Sequence, residues 1–197
     1  MRGIFRFHLL VLALCTVPSA AAQGVLYRSH EEFVAQRGEA VDRMVEVAPA
    51  MGRFVLCYEQ AGARRQVPTR KLWGFMNRGV FYRIEQQDRL PVRLMAQGAI
   101  YYWENGFAHL HMQRDSTAAS AFDYGHACYL SRDLAGDIVP AAFMPDDAKS
   151  ASARFKAAWP AYKHLLEQIG EGNDMDQVRK LVVEYEVAVE EGRVSGP

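Results

Sequence analysis

Between residues 53 and 131 the chain is cut into short β-rich runs by turns carrying glycine and asparagine, and this punctuation limits the fold more than any other feature. Phe54-Val55-Leu56-Cys57-Tyr58 is one such run, bounded by Gly52 and Gly62. Lys71 to Asn77 and Val80 to Glu85 are joined by Asn77-Arg78-Gly79, a hairpin turn whose glycine can take positive φ. Val92 to Gln97 and Ile100 to Glu104 flank Gly98 and predict a second hairpin. Asn105-Gly106 is the strongest single hairpin signal, with Phe107 to Met112 as its returning strand. Tyr129-Leu130-Ser131 reads as a further strand. Short strands joined by tight turns predict an antiparallel meander.

Alternation within these runs places apolar residues on both faces. Leu72 and Met76 fall on one side, Trp73 and Phe75 on the other. Val80, Tyr82 and Ile84 oppose Phe81 and Arg83. A sheet with two apolar faces is covered on both, by curling or by packed helices. Gly74 between two large aromatics marks a bulge or a close backbone approach. Arg83 points to the face opposite Tyr82, where a carboxylate could pair with it.

Helices are expected at the two ends. Ser29, with Glu32 three positions later, forms a capping box for a short helix over 29–37. Residues 39–47 fit helix or strand equally, and Pro49 ends either. Pro145-Asp146-Asp147 opens a helical tail, its acids near the positive end of the helix dipole. Phe155, Trp159, Tyr162, Leu166 and Ile169 recur at helical spacing, and Pro160 predicts a kink or two abutting helices. Gly170 and Gly172 stop this run. Met175, Val178, Leu181, Val182, Tyr185 and Val189 form one stripe of a final amphipathic helix. The sequence thus predicts a single α+β domain over residues 23–191. Its curved, mostly antiparallel sheet of about six strands spans residues 53–131. A short N-terminal helix and C-terminal helices over 146–191 cover one face or end, and residues 192–197 fray.

The first 22 residues read as a signal peptide. Arg2 and Arg6 supply a basic start, Phe7 to Val17 an apolar run, and Ala20-Ala21-Ala22 the small residues of a cleavage site before Gln23. The run is shorter than the about 20 residues a permanent transmembrane anchor needs. Cys15 follows Leu12-Ala13-Leu14, but Leu14 stands where a lipoprotein peptidase takes a small residue, so export to the periplasm or exterior fits better. Losing Arg2 and Arg6 leaves 21 basic against 23 acidic residues. That balance offers no electrostatic footprint for nucleic acid or for a polybasic membrane contact. Cys57 and Cys128 then remain, and in an oxidising compartment they either pair as a disulfide or stand as two buried thiols. Neither lies in a CxxC motif.

Several clusters could carry chemistry. His109 and His111 share a face if their segment is a strand, and His126 is a possible third metal ligand, with Asp115 or Asp123 as a carboxylate; this would suit zinc. Without an HExxH helix or a cysteine pair, the same residues fit two strand histidines and a loop histidine. Ser116, Ser120 and Ser131 lie near His126 and Asp123, but none sits in a GxSxG elbow. The loop 114–125 is long enough to bind something. Arg64-Arg65 and Arg70-Lys71 form a small basic cluster that could meet an anionic glycan or lipid headgroup, or simply face water. Tyr101-Tyr102-Trp103 could stack on sugars or pack in a core.

The order of features resembles a group of uncharacterised exported proteins of Bacteroidota. The matching residues are Tyr27-Arg28-Ser29-His30-Glu31-Glu32-Phe33, Trp73-Gly74-Phe75, Gly79 with Tyr82-Arg83, Ile100-Tyr101-Tyr102 and Tyr129-Leu130-Ser131 before a helical tail. Leu26 is an extra residue relative to that pattern, and Glu186 follows Tyr185 where the group has asparagine. The resemblance implies export and no known catalytic residue. The reading is therefore an exported, non-enzymatic envelope or secreted protein, a binding or structural module without cofactor. Its partner could be an envelope protein, a glycan or a small apolar ligand. The alternatives are a metal-dependent hydrolase using His109, His111 and His126, and a carrier of a small apolar ligand inside the sheet.

Overall fold

A computed structural model describes residues 23–50, 53–87, 89–106, 110, 128–142, 159–169 and 175–195. Among them the α+β class holds, with a mostly antiparallel sheet, but the strand inventory is larger than the turn signals predict. Eleven strands form an eight-stranded and a three-stranded sheet in place of about six. They are β1 (Gly24–Tyr27), β2 (Glu39–Val41), β3 (Arg43–Ala50), β4 (Arg53–Gln60), β5 (Ala63–Pro68), β6 (Gly74–Asn77), β7 (Val80–Ile84), β8 (Pro91–Gln97), β9 (Tyr101–Asn105), β10 (Cys128–Ser131) and β11 (Val139–Ala142). The large sheet runs β11-β10-β9-β8-β7-β6-β1-β2 and the small one β3-β4-β5. From β6 to β11 the order is the expected meander. The additions are β1 beside β6, β5, and β11 beyond the expected span, and the ambiguous stretch 39–47 is extended.

Two turns behave as their residues require. Arg78 (φ 49°) and Gly79 (φ 80°) join Asn77 to its partner Val80, and Ala61 (φ 51°) and Gly62 (φ 74°) join β4 to β5. Two positive-φ central residues give the twist that matches paired strands. The Asn105-Gly106 signal has another outcome. Asn105 ends β9, while Gly106 and Leu110 are helical rather than part of a returning strand. Gly106 is needed for close approach: a Cβ there would stand 2.6 Å from the Pro91 carbonyl oxygen and 3.1 Å from the Tyr82 ring.

The large sheet is covered on both faces. Register puts Leu26, Phe75 and Tyr82 on one face, and these pack with Val41, Met44, Val47, Leu56, Tyr58 and Val67 between the two sheets. Farther along that face, Tyr102, Cys128 and Leu130 pack against the C-terminal helices. The opposite face carries Phe81, Val92, Trp103, Tyr129 and Ile138, flanked by Phe33 and Leu134. Trp73 joins Met76 on this second face, while Leu72 and Phe75 belong to the first, so the expected grouping of Trp73 with Phe75 is corrected. β6 begins only at Gly74, and alternation does not extend back through the bend at Trp73. Gly74 leaves no side chain opposite Arg83; a Cβ there would lie 2.7 Å from the Tyr82 carbonyl oxygen.

Helix α1 (His30–Val34) starts at Ser29, whose hydroxyl accepts from the Glu32 amide at 3.3 Å. Glu32 reaches one residue past the cap, accepting from the Arg28 amide at 2.7 Å. Pro160–Tyr162 form a 3-10 turn that feeds α2 (Lys163–Gln168); the run before Trp159, which Pro160 is expected to kink, lies outside the described residues. Helix α3 (Met175–Glu190) buries Val178, Val182, Tyr185 and Ala188. Gly192 (φ 68°) closes it, with Gly192 donating to the Val189 carbonyl and Arg193 to the Ala188 carbonyl, the paired bonds of a glycine cap. No helix among the described residues is long and apolar enough to cross a membrane.

Candidate binding site

The sheets meet at Asp42, between β2 and β3. Its amide donates to the Glu59 carbonyl at 3.0 Å, its carbonyl accepts from Gln23, and its carboxylate accepts from the Ala61 amide at 2.8 Å. Just past this corner the β3–β4 register shifts: Met44 pairs Tyr58 and Glu46 pairs Cys57, leaving Val45 as an extra residue. β3 is also an edge strand. Bulges on edges bend a strand and re-aim its side chains. Here the bulge borders a pocket of about 260 Å³ lined by Arg43, Met44, Val45, Glu46 and Leu56 from the small sheet, Asn77 and Arg78 from the β6–β7 turn, and Leu110.

Met44 and Leu56 belong to the core between the sheets and supply apolar atoms to the lining. The rim is charged. The Arg43 Nε donates to Glu59 at 3.2 Å, which raises the arginine's pKa and lowers the carboxylate's. Glu46 is paired to Arg64 at 2.5 Å. Arg64 is held above its ordinary pKa first by its hydrogen bond to the Cys57 sulfur and then by Glu46. Arg78 is exposed, and among the described residues its guanidinium has no ion pair. The turn is anchored instead through its backbone, the Arg78 amide donating to the Gln23 carbonyl at 2.8 Å. Charge therefore balances around Arg43 and Glu46 and is left over at Arg78.

Two further polar clusters lie in the core. Register aligns Tyr82, Arg93, Glu104 and Cys128 across β7 to β10, at the seam between small sheet and helices. Glu104, 1% exposed, accepts from the Tyr102 hydroxyl at 2.9 Å and from Arg179 of α3. Burial first, then the charges of Cys128 and Glu104, push the Tyr102 phenol well above its ordinary range. Among the described residues the buried Tyr82 hydroxyl has no hydrogen-bond partner, and burial raises its pKa. On the other face Arg83 is 2% exposed and lies 5.1 Å from the centre of the Trp73 ring. It donates to the carbonyls of Leu134, Ala135 and Gly136 at 2.7, 2.9 and 2.6 Å. The expected carboxylate partner is replaced by three backbone acceptors. Burial drives its pKa down to about 10, against the attraction of Asp133 and Asp137. Both clusters join elements rather than open to solvent.

His109, His111, His126, Asp115, Asp123, Ser116, Ser120 and the loop 114–125 lie outside the described residues, as do the leader and residues 146–158. Among the described residues no group of three His, Cys, Asp or Glu could hold a metal ion. Ser131 is buried; its hydroxyl accepts from the Trp103 indole at 2.9 Å and donates to the Asp133 carbonyl at 2.8 Å. Trp103 is fully buried beneath Tyr101, and Tyr102 sits in the other core, so the aromatic triplet is shared between two cores. Arg64 is tied to Glu46, while Arg65, Arg70 and Lys71 are exposed on β5 and the following turn. Cys57 and Cys128 are buried thiols on different sheets.

Sequence reasoning treats Arg78 only as a turn residue and passes over Arg43 and Val45. The available signal is chemical: a long cation occupies a left-handed turn position that favours asparagine or glycine. Gln36, Ala61 and Arg89 adopt the same conformation without lining this pocket, so backbone alone does not single out Arg78. No protein-family model matches this chain, and no curated protein or solved structure matches it either.

Proposed function

We propose that the protein is an exported, non-enzymatic binding module, as its leader, balanced charge and lack of a catalytic motif suggest, and that it binds through the pocket at the β3 bulge. One observation carries this reading: Arg78, whose guanidinium has no ion pair among the described residues, borders a pocket of about 260 Å³ whose lining also includes Met44, Val45, Leu56 and Leu110. Sites for small molecules combine apolar walls with a few placed polar groups. The described lining supplies arginine, glutamate, amide and aliphatic groups but no nucleophile or imidazole, which suits holding a molecule rather than cleaving it. The leader and the nearly balanced charge support release into the periplasm or exterior.

The test is expression of the full chain in a bacterial host, recovery from the periplasm, and equilibrium dialysis against a pool of small acids, alcohols, amines and sugars. The expected product begins at Gln23 and retains one chemical class. Val45→Trp, which places bulk at the edge-strand bulge, should abolish retention while leaving the unfolding midpoint nearly unchanged. A chain that retains no class, or retains it equally with Trp at position 45, overturns the assignment of the pocket.

A further inference from the structure

Resting on that pocket as the binding site, we propose that its ligand is a small monocarboxylate with a short apolar body, its carboxylate on Arg78 and its body over Met44 and Leu56. The argument begins with charge. Arg43 is committed to Glu59 and Glu46 to Arg64, so the rim's surplus is the single positive charge of Arg78. An ammonium ligand meets Arg43 and Arg78 together and is repelled. A neutral ligand of the same shape leaves the Arg78 fork without an acceptor. A dianion gains at Arg78 but meets the Glu46 carboxylate in the same lining. A monoanion meets Arg78 while bringing one charge fewer toward Glu46 than a dianion does, and a planar carboxylate matches the guanidinium fork through two parallel hydrogen bonds.

Size narrows the class. At about 30 Å³ for each water-sized group, the pocket holds about nine non-hydrogen atoms. That suits a short fatty or aromatic acid. Met44, Leu56, Val45 and Leu110 provide aliphatic surface for the body.

The test is calorimetric titration of the full chain with hexanoate, 1-hexanol and hexylamine, repeated with Arg78→Asn. Asparagine is the favoured residue at this turn position, so the variant loses the guanidinium while keeping the hairpin. The expected result is hexanoate binding at least about tenfold tighter than 1-hexanol, or about 1.4 kcal/mol, with hexylamine weakest. In Arg78→Asn the preference for hexanoate over 1-hexanol disappears. Hexanoate no tighter than 1-hexanol, or a preference that survives in the variant, overturns the carboxylate assignment. If the alcohol or the amine binds and Val45→Trp removes it, the pocket stands and only the ligand class falls. If none of the three binds, both fall.

Discussion

Arg179 on α3 and Glu104 on β9, 75 residues apart, share one carboxylate oxygen: the Arg179 Nε lies 2.9 Å from Glu104 Oε1, which also accepts from Tyr102. The pair fastens the last helix to the centre of the large sheet. Glu104 is buried while the Arg179 side chain is 42% exposed, so the acid bears most of the desolvation and water screens the base. Removing the arginine leaves a buried carboxylate with one neutral donor from this group.

Arg179→Met should therefore lower unfolding stability by about 2 kcal/mol, below the range for a fully buried pair because of that screening. Glu104→Gln should cost less, since an amide oxygen still accepts from Tyr102. Urea unfolding of the singles and the double should show a coupling of about 1 kcal/mol. Additive losses would mean that the contact does not join helix to sheet.

Gly98 and Glu186 should behave as one unit. The Glu186 carboxylate accepts from the Ala99 and Ile100 amides at 2.8 and 2.9 Å, and a Cβ on Gly98 would stand 2.4 Å from it. Gly98→Ala should displace the carboxylate and cost about 2 kcal/mol, and Glu186→Ala should cost a similar amount by stranding two amides. In the double variant the alanine methyl meets no carboxylate, so the loss should stay near that of Glu186→Ala alone.

Arg83→Lys should be destabilising by about 3 kcal/mol although charge is kept. An ammonium is a compact point and cannot span the three carbonyls that the guanidinium fork meets. Denaturant unfolding measures the loss. The tryptophan emission of the folded variant should also shift, because Arg83 lies over Trp73. Unchanged stability would remove the clamp on residues 134–136.

Alkaline unfolding should be steep. Burial raises the phenol pKa of Tyr27, Tyr82, Tyr102, Tyr162 and Tyr185 above the ordinary 10.0. A raised folded-state pKa stabilises fully below the unfolded value and is lost as pH climbs past it. Stability should be flat to about pH 9.5 and fall beyond pH 10, with tyrosinate absorbance appearing together with unfolding. Arg83 acts oppositely: its charge costs stability below about 10 and that cost fades above it. It is one group against five. Tyrosinate rising while the fold persists would contradict the burial of these rings.

The turns and caps were legible because their causes are local. Asn77-Arg78-Gly79 forms its hairpin and Ser29 caps its helix, each through atoms within a few residues. The stripe of α3 was legible for the same reason: helical periodicity puts Val178, Val182 and Tyr185 on one side whatever they meet. Asn105-Gly106 shows the limit. Glycine was required there, but by Pro91 and Tyr82 from other strands rather than by the turn itself. The pocket was illegible because four separate stretches build it, and the lone charge of Arg78 appears only once Arg43 and Glu46 find Glu59 and Arg64.

The sequence alone determined the α+β class, the antiparallel meander and the apolar stripe of α3, since these follow from spacing and turn chemistry. Only the tertiary structure decided that β1 lies between β2 and β6, that a second sheet splits off at Asp42, and which polar groups meet in the core. Gly24 pairs with Asn77, and Glu104 meets Arg179. Such pairings are chosen by loop closure and shared burial across the whole chain, which no local pattern encodes.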